Sequence, residues 1–384
     1  MTITTHNATV FKICHIITDL DVGGAEFMLK RLVEEQSAQR DFMSIVSLTN
    51  LGKIGEQLQA QGFTVYTLNM AGKLGLLIAF WRLCKLLKEL RPDVVQTWMY
   101  HADLLGGLAA YFCGIRRIVW GIHCSKLPIG RPLTKVVMLI CAKMSSWLPA
   151  KIICVAEAAK ANHIEYGYAK HKMTIIPNGF SEAPIVKDFT KSRHILKKYD
   201  VADSAFIVGC VGRFHPDKGQ DILIEAVSLV AEKAANTQFV LVGRGCDKEN
   251  SHLINLIDNF NLRSKIILLG ERDDIPLLLP EFDLFCMPSR TEAFPVALGE
   301  AMLAGLPCVA TDVGDAKELG GPTTWFVEPC DVNSLAIGIM AMSEKPAPEL
   351  AERGLQGRLH VKELYSIQNV SRLYSRVYQD LFAE

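Results

Sequence analysis

The chain has 384 residues, of which 49% are hydrophobic and 21% charged, and its formal net charge is zero. These values exclude a disordered protein, and the length suits two domains that each bury a core. The eleven cysteines are scattered and form no C-x-x-C pair, so we interpret them as reduced core residues of a cytosolic protein, without disulfides or a zinc site. The polar N-terminus has no signal pattern, and no apolar run reaches about 18 residues, so we expect no membrane-spanning helix.

The charge is unevenly divided between the two halves of the chain. Residues 1–180 contain 20 Lys and Arg against 12 Asp and Glu, a balance of +8, and the remainder contains 21 against 29, a balance of −8. No acidic residue occurs at 104–156. This asymmetry indicates an anionic partner for the first half. Because no nucleic-acid-binding motif is visible, we do not expect that partner to be nucleic acid.

A pair of glycines follows the first predicted strand. The strand covers residues 10–17, and Gly23 and Gly24 stand at the start of a predicted helix over 23–40. Glycines between a strand and a helix let the backbone approach a phosphate or a sugar closely. A plain tight turn is the alternative interpretation.

Strand and helix patterns then alternate. The predicted strands are residues 44–48, 64–68, 94–97, 118–121 and 152–155, and the predicted helices are 74–90, 102–113, 133–147 and 157–166. Such alternation favours a parallel sheet covered by helices on both faces. A turn at 174–179 closes the domain, and a polar, charged linker follows.

The predicted helix at 74–90 mixes apolar residues such as Trp81 with the basic residues Arg82, Lys85 and Lys88. Its apolar side chains could pack in the core and leave a solvated basic face. Alternatively, the helix is amphipathic and lies on an anionic membrane surface. The acid-free stretch in the same domain supports the second interpretation, and both stay open.

Three residues follow predicted strands in positions that suit ligand binding. His123 comes directly after the fourth strand of the alternating series, at the kind of strand end where sites in parallel sheets cluster. In the second half, the strand at 206–211 runs into Gly-Arg-x-x-x-x-Lys-Gly before a helix at 220–232. Arg213 and Lys218 flank that turn and can point at one anion. The alternatives are a lone turn histidine and two solvated surface cations.

Residues 287–312 have the pattern of a strand, a loop, a helix and a second strand. The loop carries Glu292, the helix contains Glu300, and Gly305 suits a left-handed C-terminal cap. Ligands bind at this edge of open parallel sheets, and free N–H groups at a helix N-terminus can receive phosphates. Taken alone, a capping glutamate and an ordinary surface glutamate are the better explanation, because two glutamates eight positions apart are common by chance.

The run Ser289-x-x-Glu292-x-Phe294-Pro295, followed by Glu300-Ala301-Met302, resembles the Glu-x7-Glu signature of retaining GT-B glycosyltransferases. More narrowly, it is similar to family 4, which includes many bacterial polysaccharide and lipopolysaccharide enzymes. The Gly-Arg-x-x-x-x-Lys-Gly turn and the Gly-Gly-Ala-Glu loop resemble the same family, so the likeness covers nearly the whole chain.

The resemblance implies an α/β GT-B fold, with two Rossmann-like domains facing across a cleft. The acceptor-side domain would cover 1–180, a linker 181–204, and the nucleotide-sugar domain 205–365. A final helix at 366–384 would cross back to the first domain.

The resemblance also implies roles for the site residues. The donor would be bound by Gly23, Gly24, Arg213, Lys218, Arg272, Ala293, Phe294 and Glu300, with Glu292 and His123 at the reacting sugar. Within this set the two cations would bind the leaving diphosphate, Glu300 the ribose, and Arg272 the nucleobase. Ala293 stands where the family usually has glycine, so its methyl group tightens the backbone approach to the donor.

The expected activity is transfer of a sugar from a nucleotide-diphosphate donor to a saccharide or lipid-linked saccharide, with retention and without a metal or other cofactor. We expect the protein in the cytoplasm or on the inner face of the cytoplasmic membrane, with the first domain on the membrane surface. The alternatives are a sugar-nucleotide epimerase of GT-B architecture and a non-catalytic sugar-nucleotide-binding subunit.

Overall fold

The computed structural model describes residues 11–125, 132–189, 193–199, 201–202 and 204–383, without the side chains of Lys73 and Leu74. The first residue of the predicted strand at 10–17, residues 126–131 of the acid-free stretch and parts of the predicted linker therefore lie outside the described residues. The chain divides into two compact units. One consists of Met1–Gly179 and Ile367–Glu384, and the other of Phe180–Ser366.

The first unit is built on a seven-stranded parallel sheet. Its strands are β1 Ile13–Ile17, β2 Met43–Ser47, β3 Thr64–Thr67, β4 Val94–Trp98, β5 Ile118–Ile122, β6 Lys151–Cys154 and β7 Met173–Ile175, in the order β3-β2-β1-β4-β5-β6-β7. Strands β1, β4 and β5 are buried along their whole length, as in sheets with helices on both faces. The strand order reverses between β1 and β4, so their carboxyl ends form the edge where such sheets bind ligands.

Six helices connect these strands: α1 Gly24–Glu35, α2 Gly52–Ala60, α3 Gly72–Leu90, α4 Tyr100–Phe112, α5 Pro132–Met144 and α6 Glu157–Glu165. Short 3-10 helices lie at Ser37–Phe42 and Lys170–Lys172. The helix predicted over 23–40 is therefore too long, because Gln36 leaves the helical conformation at the end of α1. The turn predicted at 174–179 is wrong in its first residues, which pair with β6 as part of β7.

The second unit has a six-stranded parallel sheet. Its strands are β8 Phe206–Val211, β9 Thr237–Val242, β10 Ile266–Leu268, β11 Leu284–Met287, β12 Cys308–Thr311 and β13 Trp325–Val327, in the order β10-β9-β8-β11-β12-β13. Its helices are α7 Gln220–Lys233, α8 Ser251–Asn259, α9 Ile275–Leu278, α10 Val296–Leu303, α11 Ala316–Gly320, α12 Val332–Ser343 and α13 Ala347–Tyr365. Short 3-10 helices in the described part of this unit lie at Leu196–Lys198, Pro216–Lys218, Leu279–Glu281 and Gly321–Thr323.

The last helix, α14 Ile367–Ala383, belongs to the first unit although it follows the second in sequence. It begins after Ser366, whose extended backbone ends α13. One face of α14 is buried in the core of the first unit, next to α1. Its buried residues have helical spacing and are Ile367, Val370, Tyr374, Tyr378 and Leu381.

Among the described residues, no helix is long and apolar enough to cross a membrane. All eleven cysteines are free thiols, and Cys330 alone is exposed. This agrees with the expectation of reduced cysteines that are mostly in the core.

Candidate active site

Two loops of the second unit meet at the carboxyl ends of β8 and β11. These strands are neighbours in the sheet, so the turn after β8 and the loop after β11 leave it side by side. The Nζ atom of Lys218, on the turn, lies 2.6 Å from Oε1 of Glu292, on the loop. The two side chains are 31% and 12% exposed. The fold therefore brings together two predicted site residues that are 74 positions apart in sequence.

The turn after β8 is fixed by its backbone. Gly219 has a φ of 65°, and a β-carbon there would lie 2.1 Å from the carbonyl oxygen of Pro288. Glycine is needed both for the left-handed conformation and for this close approach. The buried Gln220 amide donates to the carbonyl oxygens of Gly212 and Arg213, at 3.2 and 2.9 Å. The Gln220 bonds thus close the turn on itself, and the approach of Gly219 to Pro288 packs it against the neighbouring loop.

The loop that carries Glu292 is held in the same way. The Ser289 hydroxyl donates to Glu292 Oε1 at 2.7 Å, and the N–H of Asp315 donates to the carbonyl oxygen of Ala293 at 3.0 Å. Gly314 has a φ of 58°, and a β-carbon there would lie 2.4 Å from the Glu292 carbonyl oxygen. The Glu292 carboxylate is thus set in place by the surrounding protein.

A second ion pair links the loop after β11 to the first turn of α7 and was not identified from the sequence. The Arg290 guanidinium donates to both carboxylate oxygens of Asp221, at 2.7 and 2.6 Å. The backbone N–H of Arg290 also donates to the carbonyl oxygen of Asp217, at 2.8 Å. Burial raises the pKa of Asp221, but the hydrogen bonds and charge of Arg290 outweigh it and hold that pKa below its usual value. No local motif marks this pair, since its members are 69 positions apart.

Arg213 and the start of α10 complete the charged part of the site. Arg213 is exposed, and it forms no ion pair within the part of the chain that the structure describes. The stem of Lys218 runs past Gly212, where a β-carbon would lie 3.7 Å from its Cγ and Cδ, so both cations belong to one turn. A recess of about 20 Å³ adjoins Lys218 and is lined in part by Glu292, Pro295, Val296 and Ala297. Free N–H groups at the helix start and a nearby cation together suit an anion.

Glu300 and Phe294 lie on the same strand–helix connection but in different surroundings. Glu300 is part-buried on the second turn of α10. The Phe294 side chain is only 6% exposed, and its ring centroid lies 5.4 Å from that of Tyr365 and 6.2 Å from that of Phe180. Because this ring packs in the core, a contact between Phe294 and a donor falls to its backbone.

Arg272 follows β10, and its guanidinium is already engaged. It donates to the two carboxylate oxygens of Asp274, at 2.7 and 2.5 Å, and to the Tyr199 hydroxyl at 3.0 Å. These hydrogen bonds lower the pKa of Asp274. Among the described residues, no hydrogen bond joins Arg272 to Lys218 or Glu292. A nucleobase contact by Arg272 stays a prediction.

His123 lies at the carboxyl end of β5 in the first unit. Its imidazole stacks on the indole of Trp98, with ring centroids 4.9 Å apart and planes 23° apart. Burial lowers the pKa of His123 to about 4, and the Asn178 amide opposes this shift without reversing it. The ring is therefore neutral near pH 7. Neither ring nitrogen has a hydrogen-bond partner of good geometry among the described residues.

Gly23 and Gly24 begin α1, and the nearby Glu26 was not singled out from the sequence. A β-carbon on Gly23 would lie 2.2 Å from Oε2 of Glu26, so that carboxyl folds back over the helix start. Burial raises the pKa of Glu26 to about 7, and the charges of Asp19 and Asp21 add to the increase. Within the described ranges, no group of three His, Cys, Asp or Glu side chains is placed to hold a metal ion.

Comparison with solved structures identifies the class of protein to which this fold belongs. The structure of the Anabaena protein Alr3699/HepE in complex with UDP and glucose matches 96% of this chain and 99% of its own, with a TM-score of 0.84 and 22% identity. A glycosyltransferase from Rickettsia africae ESF-5 matches 97% of this chain and 99% of its own, with a TM-score of 0.80 and 20% identity. Two Rossmann-like α/β units of this kind are the GT-B fold.

The sequence then gives the family. Residues 22–183 match the model described as Glycosyltransferase Family 4, and residues 205–345 match that of Glycosyl transferases group 1. The chain belongs to this family of glycosyltransferases.

Two curated relatives support the assignment. A UDP-Gal:alpha-D-GlcNAc-diphosphoundecaprenol alpha-1,3-galactosyltransferase of Escherichia coli is 29% identical over 60% of each chain. The EpsF protein of Bacillus subtilis (strain 168) is 25% identical over 95% of this chain and 98% of its own. The match to the galactosyltransferase thus spans less than two thirds of that relative.

Proposed function

We propose that this glycosyltransferase moves a sugar from a nucleotide-diphosphate donor to a lipid-linked saccharide, with retention at the anomeric carbon, during synthesis of a cell-surface polysaccharide. The observation that carries the proposal is the Lys218–Glu292 pair, held at 2.6 Å between two fixed loops beside the exposed Arg213. A cation next to a helix N-terminus suits a leaving diphosphate.

The reaction has to stabilise negative charge on the diphosphate and positive charge on the sugar. Arg213 offers a fork of donors and Lys218 a mobile point charge, so these cations take the place that a metal ion occupies in other transferases. Glu292 keeps Lys218 in position and accepts from donor hydroxyls, and Glu300 accepts from the ribose. As the bond from the anomeric carbon to the phosphate oxygen breaks, the acceptor oxygen bonds to that carbon on the same face. The departing phosphate takes the acceptor proton.

His123 is proposed to contact the donor sugar from the first unit. The imidazole is neutral because burial lowers the pKa of His123 to about 4. A neutral imidazole has one donor and one acceptor nitrogen, so it can bind two sugar hydroxyls or a hydroxyl and an oxygen. It would act by holding the sugar and not by carrying positive charge.

A lipid-linked acceptor is supported by a relative and by the surface of the first unit. The Escherichia coli relative is named for a diphosphoundecaprenol-linked acceptor. In this chain, five rings from α3, α4 and the turn after α5 form a row in which each ring contacts the next. This aromatic strip consists of Trp81, Phe80, Phe112, Tyr111 and Trp147.

The aromatic strip is largely exposed, and the Arg116 guanidinium carbon lies 4.0 Å from the centroid of its Tyr111 ring. Trp81, Phe112 and Trp147 are 70%, 69% and 52% exposed. Basic residues on the same three helices or their ends include Arg82, Lys85, Lys88, Arg116 and Lys143. Exposed aromatic rings that share their helices with Lys and Arg fit the headgroup level of an anionic bilayer. We therefore propose peripheral attachment of the first unit to the cytoplasmic leaflet.

The proposal is tested by incubating the protein with radiolabelled UDP- and GDP-sugars and a lipid extract that contains diphospholipid-linked saccharides. We expect label in the lipid fraction, and the same anomeric configuration in donor and product by NMR. An isomerised donor without transfer would indicate an epimerase. Binding without either reaction would indicate a non-catalytic subunit. Lys218→Ala is the control for activity from contaminating enzymes.

A further inference from the structure

A fully buried tryptophan on a central strand of the first unit lies against His123. Trp98 ends β4 and has no exposed surface. Its indole stacks on the His123 imidazole, with ring centroids 4.9 Å apart. It also stacks on Tyr374 of α14, with centroids 6.0 Å and planes 17° apart. The imidazole therefore rests on a platform that the core itself holds.

A hydrogen bond fixes how this indole is rotated in its own plane. Trp98 Nε1 lies 3.3 Å from Nδ1 of His15, on the neighbouring strand β1. An indole N–H can only donate, so Nδ1 of His15 has to be the unprotonated acceptor. Burial lowers the pKa of His15 to about 3, so the ring stays neutral near pH 7 and Nδ1 remains free to accept. Stacking alone would leave the rotation free.

The backbone beside His123 is anchored separately. The Cys124 sulfur lies 2.9 Å from the Tyr100 hydroxyl, which lies 2.7 Å from Nε2 of His163. On β5, Gly121 has no side chain, and a β-carbon there would lie 3.4 Å from Nε2 of His123. The β5 strand thus leaves space beside the ring, and the contact that sets its plane comes from β4.

We propose that Trp98 is the positioning residue for His123. Its indole face sets the plane in which the imidazole meets the donor sugar, and the bond to His15 sets the rotation of the indole. This inference rests on the proposed function, in which His123 contacts that sugar. Trp98 itself touches no substrate, so its effect on the reaction passes through His123.

The test compares Trp98→Leu with Trp120→Leu. Trp120 is also fully buried, and it lies on the adjacent strand β5 of the same sheet. Both changes remove a fully buried indole from neighbouring strands of one sheet, so both lose core packing. We expect Trp98→Leu to lower kcat about tenfold or more, with less than about threefold change in KM for the donor, since small misplacements of a contacting group are costly. Trp120→Leu should keep kcat per folded molecule.

The position of the ring is read directly by NMR of histidine-labelled protein. The His123 signals are assigned by their loss in His123→Ala. They should be shielded by the indole in the wild type, move downfield in Trp98→Leu, and stay in place in Trp120→Leu. Trp98→Phe keeps a ring platform, so it should retain most of kcat and of the shielding. It also provides a folded variant if Trp98→Leu proves insoluble.

A double mutant separates this inference from the function on which it rests. Trp98→Leu should cost nothing more when His123 is already alanine, because the two residues act as one unit. The same loss in both backgrounds would overturn the positioning role, as would unchanged His123 signals in Trp98→Leu. A fully active His123→Ala protein would instead overturn the proposed contact between His123 and the sugar.

Discussion

Among single residues, Lys218 and Arg213 are expected to have large effects on the rate. They belong to one turn, and the charge of the diphosphate grows as it leaves. Loss of a charge-stabilising group of this kind costs roughly 3–4 kcal/mol, or about 10²–10³ in kcat. We expect Lys218→Ala and Arg213→Ala each to lower kcat by about 10²-fold in the transfer assay. The fold should be intact by circular dichroism.

The matched control is Arg263→Ala, since Arg263 is an exposed cation of the same unit, paired with Asp258 away from the two site loops. It should leave kcat unchanged. If either site variant turned over near the wild-type rate, the diphosphate would have to bind elsewhere.

His15 links a single buried residue to the pH dependence of stability. Its pKa is about 3 in the folded protein and about 6.5 in the unfolded chain. Below pH 6.5 the unfolded chain takes up a proton that the folded one does not, so stability falls as the pH falls. His15 alone therefore changes the free energy of unfolding by about 1.4 kcal/mol per pH unit in this range. We expect His15→Gln to make the free energy of unfolding less pH-dependent by about this slope between pH 6 and 4.

The measurement needs a signal from the first unit alone. Of the five tryptophans, only Trp325 belongs to the second unit, so Trp325→Phe makes indole fluorescence report on the first. Glu26 has a raised pKa and the opposite sign, but it is present in both proteins and cancels in the comparison. His171→Gln, at an exposed site, is the control. If the free energy of unfolding depended on pH equally in wild type and His15→Gln, His15 would have to take up its proton in the folded protein over the same pH range as in the unfolded chain.

At the scale of elements, local patterns predicted most of the framework. The strand predicted at 206–211 is β8 residue for residue, because an apolar run bounded by polar turns leaves little choice of limits. The helix predicted to end at Gly305 ends two residues earlier, at Leu303, but Gly305 has the expected left-handed conformation, with φ of 79°. The glutamates of the Glu-x7-Glu run lie as expected, one before α10 and one inside it.

What the sequence did not reveal depends on contacts between distant residues. The Arg290–Asp221 pair and the Trp98–His123 stack join residues on different elements. The partners are far apart in sequence, so no short sequence motif marks either contact. The raised pKa of Glu26 comes from burial, which a motif does not report. Periodicity shows which residues share a face of one element, and only the sheet order shows which faces meet.

The surface of α3 to α5 yields a prediction for a group of elements. Each Lys or Arg near an anionic bilayer contributes about 1 kcal/mol, and the exposed rings add apolar insertion. We expect the protein to sediment with vesicles that contain anionic lipid, and to be released at high salt. Changing Arg82, Lys85 and Lys88 to Glu should weaken binding at least about a hundredfold.

The controls separate general charge from a defined surface. A triple change of Lys12, Lys53 and Lys170 to Glu alters the net charge equally, at exposed sites of the same unit outside the aromatic strip. It should weaken binding much less. Trp81→Ala should weaken binding even at low salt. Insertion of the indole ring into the bilayer is an apolar contribution, which salt does not screen. A wild-type protein that ignores anionic vesicles at low salt would favour a soluble acceptor.

For the whole molecule, the division of charge follows the division into units. The segment Ile367–Glu384 has two basic and two acidic residues, so the first unit as folded keeps its balance of +8 and the second its −8. The positive unit carries the aromatic strip, and the negative unit carries the Lys218–Glu292 cluster. An anionic surface therefore attracts one unit and repels the other, which would orient the protein on a membrane.

The same division makes the stability of the first unit depend on α14, which follows the second unit in sequence. Tyr378 is fully buried in the first core, and its hydroxyl has no hydrogen-bond partner among the described residues. Removal of a large buried aromatic side chain costs roughly 3–5 kcal/mol. An unsatisfied buried hydroxyl costs about 1–3 kcal/mol, so its removal relieves that cost. We expect Tyr378→Ala to destabilise the first unit by roughly 3–5 kcal/mol. We expect Tyr378→Phe to be neutral or stabilising.

Hydrogen exchange read peptide by peptide decides which unit responds. In Tyr378→Ala, protection should fall in β1, β4 and α1 and stay unchanged in β8 and β11, although residue 378 follows all of these in sequence. Tyr378→Phe should preserve or raise protection in the first set. A loss confined to the second unit would mean that α14 packs there, and a loss in Tyr378→Phe equal to that in Tyr378→Ala would mean that the hydroxyl has a partner.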